Sequence, residues 1–219
     1  MLPALYVLPL LVILVTLLIG AEFAGKNRRI YTYKPLSSLL LLVSALLSLL
    51  SPQFDPGYTL WILIGLLFCF GGDMALMFQE SIKAFRLGLV LFLTGHLAYA
   101  ALFLRSAVVT LPVGIATAIL LLLGLLIYRL TAPNLGSMRI PVIFYIVVIS
   151  LMVASAFAAV RSGELSRLRG RLALAGALLF YVSDVILASN RFWKPFRYHR
   201  ISLAFYFSGQ FCLALSASF

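Results

Sequence analysis

Long apolar runs, each bounded by polar or basic residues, repeat along the whole chain. Each run is close to the roughly 17–25 residues that a helix needs to cross the hydrocarbon core of a bilayer. The eight runs cover residues 3–20, 34–51, 58–78, 84–104, 111–130, 140–160, 171–190 and 200–218. The pattern predicts an all-α polytopic membrane protein, with eight transmembrane helices in one bundle and a single domain over residues 1–219.

The composition agrees with this prediction and excludes a water-soluble globular protein. The chain is 63% hydrophobic and 11% charged, whereas soluble domains are about 25% charged. Its net charge of +11 comes from Lys and Arg residues that lie mostly at helix ends. We therefore expect membrane lipid rather than nucleic acid as the partner.

The basic residues also predict an orientation. The loops after the first, third, fifth and seventh helices hold most of the 17 Lys and Arg residues. Because cytoplasmic loops carry the excess of basic residues, we expect both termini to be non-cytoplasmic. The basic loop 161–171 departs from this pattern.

Two aspartates interrupt the apolar helices, one in each half of the chain. Asp73 lies near the end of the third run and Asp184 in the seventh, each on a helix that also carries a glycine, Gly65 and Gly176. A charged side chain at the membrane centre costs about 2.5–3.5 kcal/mol on insertion scales, and it usually faces a polar interior and has a function. The two aspartates are therefore the first candidates for chemistry, although a purely structural hydrogen-bond network is an alternative.

The two halves also align as a tandem repeat of four helices each, over residues 1–106 and 107–219. Pro35 matches Pro141, and the two aspartate segments match each other. Leucine-rich helices align easily by chance, so a true repeat and a chance alignment both remain open.

Other polar residues lie near the aspartates. His96 lies in a stripe at helical spacing with Gly88, Phe92, Gly95 and Tyr99. Since small residues allow close helix packing, we expect His96 to point into the bundle. Lys34 precedes Pro35, and proline is favoured at the first helical position, so the second helix is predicted to begin there. This places Lys34 at the cytoplasmic rim of the bundle. There it either binds a substrate phosphate as a point charge or only snorkels to the interface.

Several stretches together resemble the YhhN family of eight-helix membrane proteins, which includes the animal lysoplasmalogenases. They span helices two to eight. The matching residues are Lys34-Pro35-Leu36, Gly72-Asp73, Leu76-Met77, Gly95-His96-Leu97-Ala98-Tyr99, Gly176-Ala177, Phe180, Ser183-Asp184, Leu187-Ala188, Asn190-Arg191-Phe192, Tyr206 and Gln210.

The resemblance implies hydrolysis of the vinyl ether bond of a lysoplasmalogen, a lysophospholipid substrate, to a fatty aldehyde and glycerophosphoethanolamine or glycerophosphocholine. It implies that Asp73 and Asp184 are catalytic and that seven polar residues line the site. These seven are Lys34, His96, Tyr99, Ser183, Asn190, Tyr206 and Gln210. We further expect a location in a bacterial inner membrane.

The chemistry suits two buried carboxyl groups. Protonation of the β-carbon of a vinyl ether creates an oxocarbenium ion, which water captures, and the hemiacetal then collapses to an aldehyde and an alcohol. Burial and like-charge proximity favour one carboxyl that holds its proton and one that stays ionised. The sequence leaves open which aspartate is the acid.

Two other kinds of site remain open. A catalytic zinc usually has three protein ligands and a water, and with only two histidines in the chain such a site would have to combine His96, Asp73 and Asp184; we expect no cofactor. A proton-coupled transporter of a small or lipid-like solute would use the same aspartates.

Overall fold

The chain folds into eight α-helices, and the computed structural model describes residues 2–78, 80–197 and 199–219. The helices are α1 Leu8–Phe23, α2 Asn27–Leu47, α3 Pro56–Leu76, α4 Ile82–Leu104, α5 Leu111–Thr131, α6 Arg139–Ser162, α7 Arg167–Phe192 and α8 Ser202–Ser216. Each of the eight predicted apolar runs falls on one of them. The predicted all-α, eight-helix architecture is therefore confirmed.

Seven helices in the described part of the chain are long and apolar enough to cross a membrane. The exception is α8, whose 15 residues are fewer than the roughly 20 that span the hydrocarbon core. α1 reaches that length together with the 3₁₀ turn Pro3–Val7 before it, as the span Pro3–Phe23. Large apolar side chains cover the outside of the bundle, for example Ile115, Ile119 and Leu122 on α5. Extensive exposed apolar surface marks a surface that meets lipid, so the molecule is an integral membrane protein.

The aspartate-bearing helices are each held against the next helix by glycines. A Cβ atom added to Gly95 on α4 would lie 3.0 Å from the carbonyl oxygen of Gly65 on α3. A Cβ atom added to Gly176 on α7 would lie 2.7 Å from the carbonyl oxygen of Gly209 on α8. Such small residues let helix backbones approach closely. The pairs α3–α4 and α7–α8 are accordingly the most extensive helix contacts in the bundle.

The start of the second helix differs from its prediction. α2 begins at Asn27 and contains Pro35 in its interior, so the prediction that the helix begins at Lys34-Pro35 is wrong. The first turns of α2 are polar and extend the helix beyond its apolar run, which hid them from the hydrophobic pattern. Interior proline is tolerated in membrane helices because neighbouring groups satisfy the freed backbone. Lys34 is consequently not at a rim but buried, with 7% of its surface exposed.

Gly176→Ala tests the close packing of α7 on α8. The new methyl group has to displace the backbone of α8, and we expect a loss of stability of about 1–3 kcal/mol from overpacking. Thermal unfolding of the detergent-solubilised protein, followed by circular dichroism, measures it. Gly114→Ala is the matched control, because a Cβ atom there meets nothing within 4 Å; a Gly176 variant as stable as this control would contradict the packing.

Candidate functional site

A cavity of approximately 290 Å³ lies at the end of the bundle where α3 and α7 end and where α4, α6 and α8 begin. All eight helices contribute to its wall. The wall is mainly apolar, and its polar groups come from Glu22, Lys34, Asp73, Tyr145, Tyr181, Ser183, Asp184, Asn190, Arg191, His199, Arg200, Ser202 and Tyr206. An apolar cavity with a few convergent polar groups is the usual form of a small-molecule site.

Asp73 is held on this wall by side chains from two other helices. The hydroxyl groups of Ser38 on α2 and Tyr206 on α8 both donate to its Oδ2 atom, each at 2.6 Å. The Nζ atom of Lys34 lies 3.7 Å from its Oδ1 atom. Only 2% of the side chain is exposed. A buried carboxylate requires such partners, because burying an unpaired charge is very costly.

Asp184 has a different set of partners. The hydroxyl group of Tyr145 on α6 donates to its Oδ2 atom at 2.6 Å. The Nε2 atom of His96 on α4 lies 3.8 Å from the same oxygen, which is beyond the range of a hydrogen bond. His96 is fully buried, and within the described residues neither of its ring nitrogens has a hydrogen-bond partner.

An aromatic contact links the two aspartate environments. The ring of Phe180 packs edge-on against His96, with centroids 4.4 Å apart, and against Tyr206 at 5.2 Å. Deeper in the bundle, the hydroxyl group of Tyr99 donates to the Oε1 atom of Gln210 at 2.9 Å. Both of these residues are fully buried, and they support the floor of the site rather than its wall.

The remaining predicted residues lie on α7, Ser183 beside Asp184 and Asn190 nearer the mouth of the cavity. Ser183 and Asn190 both line the wall, and the Oδ1 atom of Asn190 accepts the backbone N–H of Phe196 at 3.2 Å. Asn190 thus fixes the segment that leads into α8. Beside it, Arg200 and Glu22 form an ion pair across the mouth, with Nη1 and Oε2 3.1 Å apart.

The structure brings most of the predicted site residues together. Six line the cavity: Lys34, Asp73, Ser183, Asp184, Asn190 and Tyr206. His96 lies behind Asp184, with its Nε2 atom 3.8 Å from the Oδ2 atom of that residue. Tyr99 and Gln210 are hydrogen-bonded to each other below the cavity. The catalytic and binding roles of all nine residues stay predictions.

Sequence reasoning missed two of the closest partners of the aspartates. Ser38 is four residues after Lys34, so both lie on one face of α2, and this spacing was a usable signal. Tyr145 is one of the few polar residues in the sixth helix, but a lone tyrosine in an apolar helix usually packs or sits at the interface. Only the folded arrangement shows that it meets Asp184.

The combined metal site is not assembled in the described residues. Within them, no three His, Cys, Asp or Glu side chains cluster closely enough to hold a metal ion. His96, Asp73 and Asp184 therefore do not form the three-ligand set that a catalytic zinc usually needs.

Comparison with known proteins identifies the family. The model of the YhhN family matches residues 30–217, a range that contains all nine predicted site residues. Lysoplasmalogenase TMEM86A of Bos taurus is 34% identical over 160 residues, which cover 71% of this chain and 64% of that protein. The Homo sapiens protein of the same name is 33% identical over the same shares.

A bacterial relative matches over more of its length. The uncharacterized membrane protein YhhN of Escherichia coli O157:H7 is 28% identical over 207 residues, which cover 90% of this chain and 91% of that protein. No solved structure matches this chain. The match of the family model across nearly the whole chain confirms the resemblance noted from the sequence, and the chain belongs to the YhhN family.

Proposed function

We propose that this protein is a membrane hydrolase that cleaves the vinyl ether bond of a lysoplasmalogen or a related lysolipid. The products are a fatty aldehyde and a glycerophosphoethanolamine or glycerophosphocholine. The observation that carries the proposal is a pair of carboxyl groups, the buried Asp73 and the mostly buried Asp184, on the wall of one largely apolar cavity. The names of the two mammalian relatives support the same activity, although this chain spans only 64% of their length.

The cavity suits a lipid with one chain and a polar headgroup. Its mouth carries Asn190, Arg191 and Arg200, which suit a phosphate group, while Leu89, Ile127 and Ile146 give its wall an apolar side. At a rise of 1.5 Å per residue, Asp184 lies about 10 Å deeper than Arg191 along α7. A headgroup at the mouth would thus leave the ether bond beside the carboxyl groups and the alkenyl chain against the apolar wall.

The reaction needs an acid, an anion and a water molecule. One carboxyl group gives its proton to the β-carbon of the vinyl ether, which leaves an oxocarbenium ion at the carbon that bears the oxygen. The other carboxylate stabilises that cation, water adds to it, and the proton released by the water returns to the first carboxylate. The resulting hemiacetal collapses, with its hydroxyl proton lost and the glycerol oxygen protonated, so that one water is consumed for each bond cleaved.

Proton-coupled transport is the alternative use of these aspartates. The observation against it is the position of the cavity at one end of the bundle, with Cys69, Tyr99 and Gln210 fully or almost fully buried beneath it. A carrier site is expected near the midplane, where both sides can reach it in turn. The basic residues at the cavity end support a cytoplasmic mouth.

Asp73→Asn and Asp184→Asn test the proposed acid pair. Each removes one carboxyl group at nearly constant shape, and we expect each to lower aldehyde release from lysoplasmalogen by at least about 10²-fold, the usual contribution of a positioned acid or base. The assay uses detergent-purified protein whose folding is checked by its thermal unfolding. Glu164→Gln, in an exposed loop, makes the same carboxyl-to-amide change and should retain full activity.

No aldehyde release by the folded wild-type protein, with a panel of other lysophospholipids also left intact, would overturn the hydrolase proposal. Uptake of a labelled lysolipid into proteoliposomes without cleavage would favour the transporter instead.

Ala188→Phe tests whether the substrate occupies the cavity. Ala188 lines the wall, and a phenyl ring there fills space that the substrate needs. Misplacement of a substrate by about 1 Å can cost 10²-fold in rate, and we expect kcat/KM for aldehyde release to fall by about that factor. Leu178→Phe is the matched control on the lipid-facing side of α7, where Leu178 is exposed; equal activity of the two variants would mean that the substrate binds elsewhere.

A further inference from the structure

The partners of the two aspartates correspond between the halves of the chain. Each aspartate accepts a hydrogen bond from a hydroxyl group on the second helix of its own half. Ser38 donates to Asp73, and Tyr145 donates to Asp184. Each is also approached from the fourth helix of the other half, by Tyr206 and His96 respectively. The two half-sites thus correspond helix by helix, and each is completed by the last helix of the other half.

The buried pair beneath the site follows the same relation. Tyr99 and Gln210, which are hydrogen-bonded to each other, are 111 residues apart, the same separation as Asp73 and Asp184. They therefore occupy equivalent positions on α4 and α8 and meet where the two halves join. This geometry supports the tandem repeat that the sequence left open, with both halves oriented alike in the membrane.

One charged residue breaks this correspondence. Lys34 directly precedes Pro35 in α2, and Ile140 directly precedes the matching Pro141 in α6. The first half-site therefore contains a buried ammonium group 3.7 Å from its carboxyl group. Ile140, at the position matched by the prolines, has a hydrocarbon side chain that is 68% exposed, so it brings no cation to Asp184.

We infer that Lys34 differentiates the two half-sites, so that Asp73 is the ionised carboxylate and Asp184 holds the proton and is the general acid. The role of Asp184 as general acid rests on the proposed hydrolase function. Which of the two aspartates carries the proton is a property of the protein without substrate. Asp73 has two hydroxyl donors at 2.6 Å and a cation beside it, all of which stabilise the ionised form. Asp184 has one hydroxyl donor, at 2.6 Å, and burial with fewer donors to the charged form favours the protonated form.

His96 is the other group that could take this proton. A buried ion pair is favourable only when its geometry is excellent and its remaining donors are satisfied. The 3.8 Å separation from Asp184 is too long for a hydrogen bond, and the backbone oxygen of Phe92, one turn earlier in α4, lies near the ring without forming a hydrogen bond of good geometry. Arg191 is the nearest arginine along α7, about two helical turns after Asp184. Its guanidinium group stacks over the ring of Phe85, with the guanidinium carbon 4.7 Å from the ring centroid. The proton therefore stays on Asp184.

This assignment gives each residue a distinct part in the reaction. Asp184 protonates the β-carbon and becomes ionised, Asp73 stabilises the oxocarbenium ion, and the proton from the attacking water restores Asp184. Tyr145 positions Asp184, and Lys34 positions Asp73 and maintains its charge. Neither of these positioning residues has to touch the reacting atoms.

Infrared spectroscopy of the purified protein at neutral pH, without any substrate, tests the assignment. A protonated carboxyl group has a carbonyl stretching band distinct from that of a carboxylate. We expect one such band from the membrane interior, which disappears in Asp184→Asn and remains in Asp73→Asn. A band lost in Asp73→Asn instead, or no band that depends on Asp184, would overturn the inference.

A second set of variants leaves both aspartates in place, in case either amide variant fails to fold. Tyr145→Phe and Tyr206→Phe each remove one hydroxyl donor from one aspartate, and we expect only Tyr145→Phe to shift the band. Lys34→Met should add a second band as Asp73 takes up a proton. A carbonyl band that shifts in Tyr206→Phe and not in Tyr145→Phe would contradict the inference. A single unchanged band in Lys34→Met would also contradict it.

The outcome separates this inference from the proposed function. If the protein releases no aldehyde, the Asp184 band still tests where the proton lies. If aldehyde is released but the band belongs to Asp73, the hydrolase proposal stands and the roles of the two aspartates are reversed.

Discussion

The cost of placing two carboxyl groups inside a membrane-spanning bundle governs this structure. A charge at the membrane centre costs about 2.5–3.5 kcal/mol or more, and only closely fitted partners offset this cost. Asp73 obtains hydroxyl donors from α2 and α8, and Asp184 obtains one from α6. These bonds tie helices that are distant in sequence to one end of the bundle, and the same end contains the cavity.

Helix packing supplies the precision that the carboxyl groups need. Gly65 and Gly95 bring α3 and α4 together, and Gly176 and Gly209 do the same for α7 and α8. Because the aspartates lie on α3 and α7, the two contacts fix their depth and direction. Phe180 then packs against both His96 and Tyr206, so a shift of one half-site would disturb the other.

The helices and the aspartates could be predicted from the sequence, because a long apolar run and an acidic residue within it are both strong physical signals. The start of α2 could not, since its polar first turns resemble a loop. Lys34 therefore looked like a rim residue, whereas it is buried beside Asp73. Ser38 and Tyr145 were not assigned to the site because a hydroxyl group in an apolar helix has many uses, and only its neighbours in the fold distinguish them.

The central claim is that a carboxyl group of this protein protonates a vinyl ether carbon. Cleavage of lysoplasmalogen in heavy water, followed by mass spectrometry of the released aldehyde, tests that step directly. The account predicts one deuterium on the carbon next to the aldehyde group, since the proton of the acid exchanges with solvent before it is transferred. An aldehyde without deuterium at that carbon would show that the bond is broken by another reaction and would contradict the account.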